Sequence, residues 1–213
     1  MISKAKTIIR GLPALLAFLC AVAAPAAAAE KNFTVFPDDR TLGDPKAPIV
    51  MIEYGAPTCP HCAHFATTVL PLVKQHYIDS GKVYYVLRIF PLMAADGAVA
   101  GMAKCLPADR YFSFLELAFR RQELWDPEYG VDDVKAGLVK LGDLAGMNRQ
   151  TAARCMDDKQ EWERLNRISQ DGDAKYGIAG VPFFVIDGTA LRAGEVGWPQ
   201  LQSRFDALLA KGR

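Results

Sequence analysis

Apolar positions along this chain change their rhythm twice, from nearly continuous runs to a spacing of three and four, and back again. Ile49-Val50-Met51-Ile52-Glu53-Tyr54 is apolar at almost every position, as a strand covered on both faces must be. Gly55-Ala56-Pro57-Thr58 then reads as a turn. Ala63 to Tyr77 reads as a helix that Pro71 should kink or break near Leu70. After Asp79-Ser80-Gly81, Val83 to Phe90 predicts a second central strand, so a right-handed parallel β-α-β crossover is expected. Upstream, Phe33, Val35 and Phe36 are set among turn formers and predict a short edge strand followed by a loop.

The helical rhythm takes over from Ala94 to Tyr176, where no strand pattern is found. Ala94 to Cys105 is small and apolar, and Tyr111 to Leu124 carries a wide apolar face with Phe112, Leu115 and Phe119. Val131, Val134, Leu138, Leu141 and Ala145 step by three and four, and helical pieces follow at Arg149 to Met156 and Lys159 to Lys175. Strands return at Pro182 to Ile186, where Asp187-Gly188 is a hairpin turn into Thr189 to Arg192. Trp198 to Lys211 closes the chain as a helix with Leu201, Phe205, Leu208 and Leu209 on one stripe and Pro199 near its start. The expected class is α/β, with 30–93 and 177–213 as one domain and 94–176 as an inserted all-helical domain. Trp125, Trp162 and Trp198 are expected in the core or lining a groove.

Residues 1–29 stand outside this plan. Lys4, Lys6 and Arg10 precede an apolar run from Leu12 to Val22, and Ala27-Ala28-Ala29 offers a small-residue cleavage site, the pattern of a secretory signal peptide. Cys20 follows Leu19, where lipid attachment needs a small residue. The whole chain carries a net charge of +1, and losing this segment removes three basic and no acidic residues, leaving −2. No basic patch points to nucleic acid and no second apolar segment to a membrane span. Cys59, Cys62, Cys105 and Cys155 remain, an even set that in an exported protein predicts two disulfides. A Cys105–Cys155 bond would clip two helices of the insertion together, a structural disulfide rather than a second redox pair, because it lacks the close spacing.

Reactive chemistry is concentrated in Cys59-Pro60-His61-Cys62, between the turn and the helix. At a helix start, unpaired N–H groups and the positive dipole end stabilise a thiolate, the attacking and leaving species in disulfide exchange. His61, beside both sulfurs, can stabilise the Cys59 thiolate as a cation or donor, whereas His64 and His76 need no role. A structural zinc site needs four ligands; His61 and His64 could complete one, but the second cysteine pair is distant. Haem attachment needs His where Ala63 stands. Neither a metal nor another cofactor is therefore expected. Glu53, a carboxyl within an apolar strand, is costly unless neutral, paired or functional; the plain alternative is a solvated side chain at an edge.

These residues, with Glu53 six positions before Cys59, Gly180-Val181-Pro182 ahead of the late strand, the helical insertion and the leader Asp44-Pro45-Lys46-Ala47-Pro48, carry a resemblance. From about Phe33 to the C-terminus the chain resembles the periplasmic thiol:disulfide interchange proteins of the DsbA type, in the thioredoxin superfamily. The resemblance implies a thioredoxin fold with an inserted all-helical domain, Cys59 as nucleophile and Cys62 as the resolving cysteine. It further implies a buried acid, Glu53, that manages the Cys62 proton, and a cis Pro182 facing the motif with Val181 offering its backbone to substrate. Val181 rather than Thr suits the oxidase branch, and many such relatives carry a second cysteine pair. The implied activity is a dithiol oxidase that donates the Cys59–Cys62 disulfide to unfolded or newly exported protein thiols. The implied setting is the periplasm, as a monomer reoxidised by a quinone-linked membrane protein of the DsbB type. A reductase or isomerase on the same fold is the nearest alternative, although an isomerase of the DsbC kind needs an N-terminal dimerisation domain for which there is little room. A metal-binding or chaperone-like module is the alternative from another class.

Overall fold

A computed structural model describes Met1, residues 33–191 and residues 196–212, so the expected signal segment and Arg192 lie outside the described residues. Its sheet has the order β1-β3-β2-β4-β5, built from β1 (Arg40–Leu42), β2 (Ile49–Gly55), β3 (Val83–Ile89), β4 (Phe183–Ile186) and β5 (Thr189–Leu191). Only β2 and β3 are parallel, with Met51 opposite Tyr85 and Glu53 opposite Leu87. β2 is central and all of its residues are buried, which explains its unbroken apolar run. Met51, Tyr85, Leu87, Phe184 and Ile186 face one core. Val50, Ile52, Tyr54, Val86 and Val185 face the other, against Ile168 and Ile178.

The predicted edge strand at Phe33 to Phe36 is not formed; β1, further along the chain, takes that edge of the sheet and pairs antiparallel with β3. Side chains rather than a ladder hold the upstream segment. Buried Arg88 of β3 pairs with Asp39 at 2.8 Å and donates to the Thr34 carbonyl at 2.6 Å. Its guanidinium also lies 4.4 Å from the centre of the Phe36 ring. A buried cation needs such a set of partners, and the apolar segment is their cover.

Pro71 does not break the helix that follows the cysteine motif. α1 (Pro60–His64) runs into a π-helical turn at Phe65–Val69, then α2 (Leu70–Val73) and a second π-helical turn at Lys74–Ile78. In the widened turn the Leu70 N–H reaches back to the Phe65 carbonyl, which accommodates the proline's missing donor and its ring one residue later.

Five helices lie between β3 and β4: α3 (Ala94–Cys105), α4 (Tyr111–Arg120), α5 (Val134–Leu144), α6 (Arg149–Met156) and α7 (Lys159–Tyr176). Local signals set their ends. Asp133, Asn148 and Asp158 cap α5, α6 and α7 by accepting from the N–H of Ala136, Thr151 and Glu161, and left-handed Gly177 ends α7. The Asp133 cap starts α5 after Val131, and α4 stops at Arg120, with a 3-10 turn at Gln122–Leu124 completing the stretch expected as helix. Cys105 and Cys155 form a disulfide between the ends of α3 and α6. These helices approach so closely that a Cβ at Gly101 would stand 2.2 Å from the Cys155 carbonyl oxygen. Asp187 and Gly188, with φ of 46° and 78°, make the tight β4–β5 turn. In α8 (Trp198–Lys211), Leu201 and Phe205 are buried and Leu208 and Leu209 are partly so. Trp125 is fully buried, and Trp198 lies partly buried beside His76 and Tyr77.

Candidate active site

Cys59 is the N-cap of α1, with an extended backbone, and Pro60 supplies the first helical position, where its missing N–H costs nothing. The loop ahead of it is fastened from several directions. Thr58 donates its N–H and hydroxyl to the two carboxylate oxygens of Asp96 at 2.7 and 3.1 Å, and Gln122 donates to the Pro57 carbonyl at 2.8 Å. Asp96 also accepts from the N–H groups of Leu92 and Met93, so the start of α3 and the 3-10 turn after α4 both grip the loop that presents Cys59.

Both cysteines of the motif are free thiols here. Cys59 is 7% exposed and Cys62 fully buried, whereas Pro60 and His61 are at the surface. The Cys59 thiol donates to the Val181 carbonyl at 3.4 Å, and the Val181–Pro182 peptide bond is cis. The chain ends of the motif and of β4 thus meet across 122 positions of sequence. The Ala56 N–H donates to Cys62 Sγ at 3.4 Å.

The two sulfurs have opposite proton affinities. Cys59 is lowered from 9.0 to about 6, first by the hydrogen bond from the Cys62 thiol, then against the cost of burial by the backbone N–H groups of Cys62 and His61. The charge of His61 contributes least among these causes. Cys62 is pushed far up by burial, by the hydrogen bond it gives to Cys59 and by the negative charge of Glu53. One sulfur is therefore ready to ionise and the other is held as a thiol.

Glu53 is 1% exposed, which disposes of the solvated-edge alternative. Burial raises its carboxyl from 4.5 to about 8, against the pull of a hydrogen bond donated by Tyr85. The Tyr85 hydroxyl lies 2.5 Å from Glu53 Oε2. Gly55 leaves a space on the active-site side: its absent Cβ would stand 3.0 Å from Glu53 Oε1 and 3.6 Å from Cys62 Sγ. Acid and thiol therefore border one small gap. A cavity of about 460 Å³ between the sheet, α2 and α4 also reaches Glu53 and Tyr85, walled by Leu70, Phe112, Leu115 and Phe119. On the other side of the motif, a 230 Å³ groove runs past His61, Phe65, Pro182, Val196 and Gln200.

His64, exposed, faces Thr68 at 3.3 Å, and His76 lies against Trp198. Among the described residues no group of three or more His, Cys, Asp or Glu side chains converges on a metal-sized site. Sequence reasoning missed Tyr85, Gly55, Thr58, Gln122 and Asp96. A signal existed for two of them: Asp96 is an acid in a small apolar helix, the same anomaly that singled out Glu53, and Tyr85 stands on the strand parallel to Glu53.

The family described as Thioredoxin matches residues 36–210 of this sequence. The chain belongs to the thioredoxin family. Its fold is the thioredoxin fold with α3 to α7 inserted between β3 and β4, in agreement with the class read from the sequence. This thioredoxin-family chain superposes on the crystal structure of Wolbachia pipientis alpha-DsbA1 with a TM-score of 0.74 at 30% identity, over 84% of this chain and 94% of that one. The oxidised structure of BdbD from Bacillus subtilis shares the fold, with a TM-score of 0.67 at 20% identity over 81% and 93% of the two chains. A protein of Rickettsia bellii named as a putative protein-disulfide oxidoreductase is 29% identical over 158 residues, which cover 74% of this chain and 60% of the relative. The match therefore spans about 60% of the length of that curated relative.

Proposed function

We propose that this thioredoxin-family chain is a protein-disulfide oxidoreductase acting as a dithiol oxidase on exported proteins. The observation that carries the reading is the opposed pair of sulfurs: Cys59 lowered to about 6 at the mouth of the site, and Cys62 held as a buried thiol three residues on. In the oxidised protein a substrate thiolate attacks Cys59 Sγ and breaks the Cys59–Cys62 bond. Cys62 leaves with the electron pair and takes up a proton, and Glu53, across the Gly55 gap, is the group placed to give it. A second substrate thiolate then attacks the substrate sulfur of the mixed disulfide, and Cys59 departs as a thiolate. Substrate is oxidised by two electrons and the protein is left as the dithiol. A well-stabilised Cys59 thiolate is a good leaving group and favours the reduced protein, which is what makes the disulfide an oxidant.

Pro182 and Val181 are the substrate contact in this reading. The Val181 carbonyl accepts from the Cys59 thiol; once Cys59 is ionised or bonded to a substrate sulfur, that carbonyl is released for a peptide N–H, as in strand addition. Cys105–Cys155 is the structural disulfide, and 94–176 is the inserted domain between the halves 30–93 and 177–213. The segment 1–29 directs export to the periplasm, where a quinone-linked partner of the DsbB type reoxidises the monomer. Equilibration of the purified protein with glutathione tests the direction of flow. A potential well above that of thioredoxin is expected, and one as low as thioredoxin's overturns the oxidase reading in favour of a reductase.

A further inference from the structure

We propose that Tyr85 is a positioning residue for the exchange step, its hydroxyl holding the Glu53 carboxyl where it can serve Cys62. The inference rests on the role given above to Glu53 and extends it to a residue on a different strand.

Its ground is geometric. Glu53 stands on β2, whose every residue is buried, and Tyr85 is the side chain that donates to its carboxyl. Tyr85 of β3 donates to Oε2 at 2.5 Å, while Oε1 borders the gap shared with Cys62 Sγ. One oxygen is thereby tethered and the other aimed. The tether is itself held from the insertion: the Phe112 ring of α4 lies 6.2 Å from that of Tyr85, and both rings border the cavity beside Glu53. That cavity gives the carboxyl room to swing away from Cys62 if the tether is lost. Tyr85 stays a donor under all ordinary conditions, because burial and the adjacent Glu53 charge push its hydroxyl well above the usual range.

The other charges facing this pair come from each neighbouring element. Cys59 and Cys62 act from the motif side and Tyr111 from α4. At the cavity rim are Lys74, Asp109, Glu116 and Arg120. Lys74 is engaged by Asp79 and Arg120 by Glu116, so the rim cations are already neutralised by partners of their own. The Tyr85 hydroxyl is thus the group that distinguishes the carboxylate from the acid at close range: it stabilises the charged form, and its removal makes Glu53 a group that ionises only at higher pH.

The test is the resolving reaction run on a defined species. The protein is prepared with glutathione disulfide-bonded to Cys59, and the release of glutathione is followed against pH. Glu53 as carboxylate takes the Cys62 proton, the Cys62 thiolate attacks Cys59 Sγ, and glutathione leaves as its thiolate. Tyr85→Phe keeps the ring against Phe112 and deletes only the donor. The expected result is a pH profile displaced upward by about one unit, so that release near neutral pH is roughly tenfold slower. A titration of the Glu53 carboxyl carbon by NMR in the same variant should move in the same direction. In a Glu53→Gln background, Tyr85→Phe should change nothing further. A Tyr85→Phe profile that superimposes on the unaltered protein overturns the proposal while leaving Glu53 its role. An equal slowing in the Glu53→Gln background overturns it as well, because the tyrosine would then act on packing alone. If Glu53→Gln itself leaves release unchanged, the role of Glu53 fails first. Phe112→Leu, which keeps the hydroxyl but removes its ring seat, should give a smaller shift of the same sign, and this arm is read if Tyr85→Phe does not fold.

Discussion

The depressed proton affinity of Cys59 fixes how the oxidising strength of the protein must vary with pH. Cys59 ionises at about 6 in the folded dithiol, against 9.0 for an ordinary cysteine, while the disulfide has no such group to ionise. Because the folded value is depressed, the stabilisation of the reduced protein is complete only above the ordinary value. There it amounts to about 4 kcal/mol at 1.36 kcal/mol per unit. It is lost as pH falls through about 6. At pH 7, one unit above the folded value, about 1.4 kcal/mol of it is present, which for a two-electron couple raises the potential by roughly 30 mV. Glu53 runs the other way: raised from 4.5 to about 8, it adds stability that is full at low pH and lost as pH rises through 8. Part of that rise comes from the Cys59 charge, which the disulfide lacks, so Glu53 adds only a smaller pH dependence of its own, well above the Cys59 break. The assay is equilibration with glutathione between about pH 5 and 9, read by alkylation of the free thiols. Reduction takes up two protons below the Cys59 value and one above it, so the slope should change from about 59 to about 30 mV per pH unit. The break should fall near 6 and persist in Glu53→Gln. A slope that stays near 59 mV to pH 8 would refute the stabilised thiolate and, with it, the physical basis of the oxidase reading.

Three other substitutions test the frame around the site. Cys105→Ser with Cys155→Ser should cost about 4 kcal/mol in urea unfolding, as the chain-entropy estimate for a separation of 50 residues requires, and a loss under 1 kcal/mol would show that the clip constrains little. Gly101→Ala drives a methyl into the Cys155 carbonyl, a backbone atom that cannot turn aside; a loss of about 1–3 kcal/mol in the same assay is expected, and neutrality would mean that α3 and α6 are not so closely apposed. Asp96→Asn leaves one acceptor oxygen where the carboxylate presents two to Thr58, Leu92 and Met93, so about 2–3 kcal/mol should be lost together with a rise in the Cys59 ionisation point, followed by thiolate absorbance. A stable Asp96→Asn protein with unchanged Cys59 ionisation would remove this carboxylate from the account of the site.

How far the sequence disclosed this arrangement depended on whether a signal was local. β2 was legible because a strand buried on both faces shows an unbroken apolar run, and α3, α6 and α8 because their stripes and punctuation sit within a few residues. Phe33 to Phe36 misled for the same reason: apolarity was read as a strand, when those side chains cover a buried Arg88 and the pairing belongs to polar Arg40–Leu42. Pro71 misled because a rule for regular helices does not foresee a widened turn that makes room for the ring. In the candidate site the motif and Glu53 announced themselves as anomalies of composition. Tyr85 and Gln122 did not, because a tyrosine in a strand and a glutamine in a turn are unremarkable until register and packing bring them to a carboxyl or a carbonyl.

The meeting of the Cys59 thiol with the Val181 carbonyl has a consequence for when the chain becomes reactive in an ordered way. The two sulfurs follow only two of the five strands, and β4, whose entry supplies that carbonyl, is the fourth, following seven helices. A chain emerging N-terminus first exposes a bare pair of thiols long before the surface that would select what they touch, and before Asp96 and Gln122 can hold their loop. Selective exchange is thus a property of the finished molecule, and the same pair in an incomplete one is only another client for oxidation.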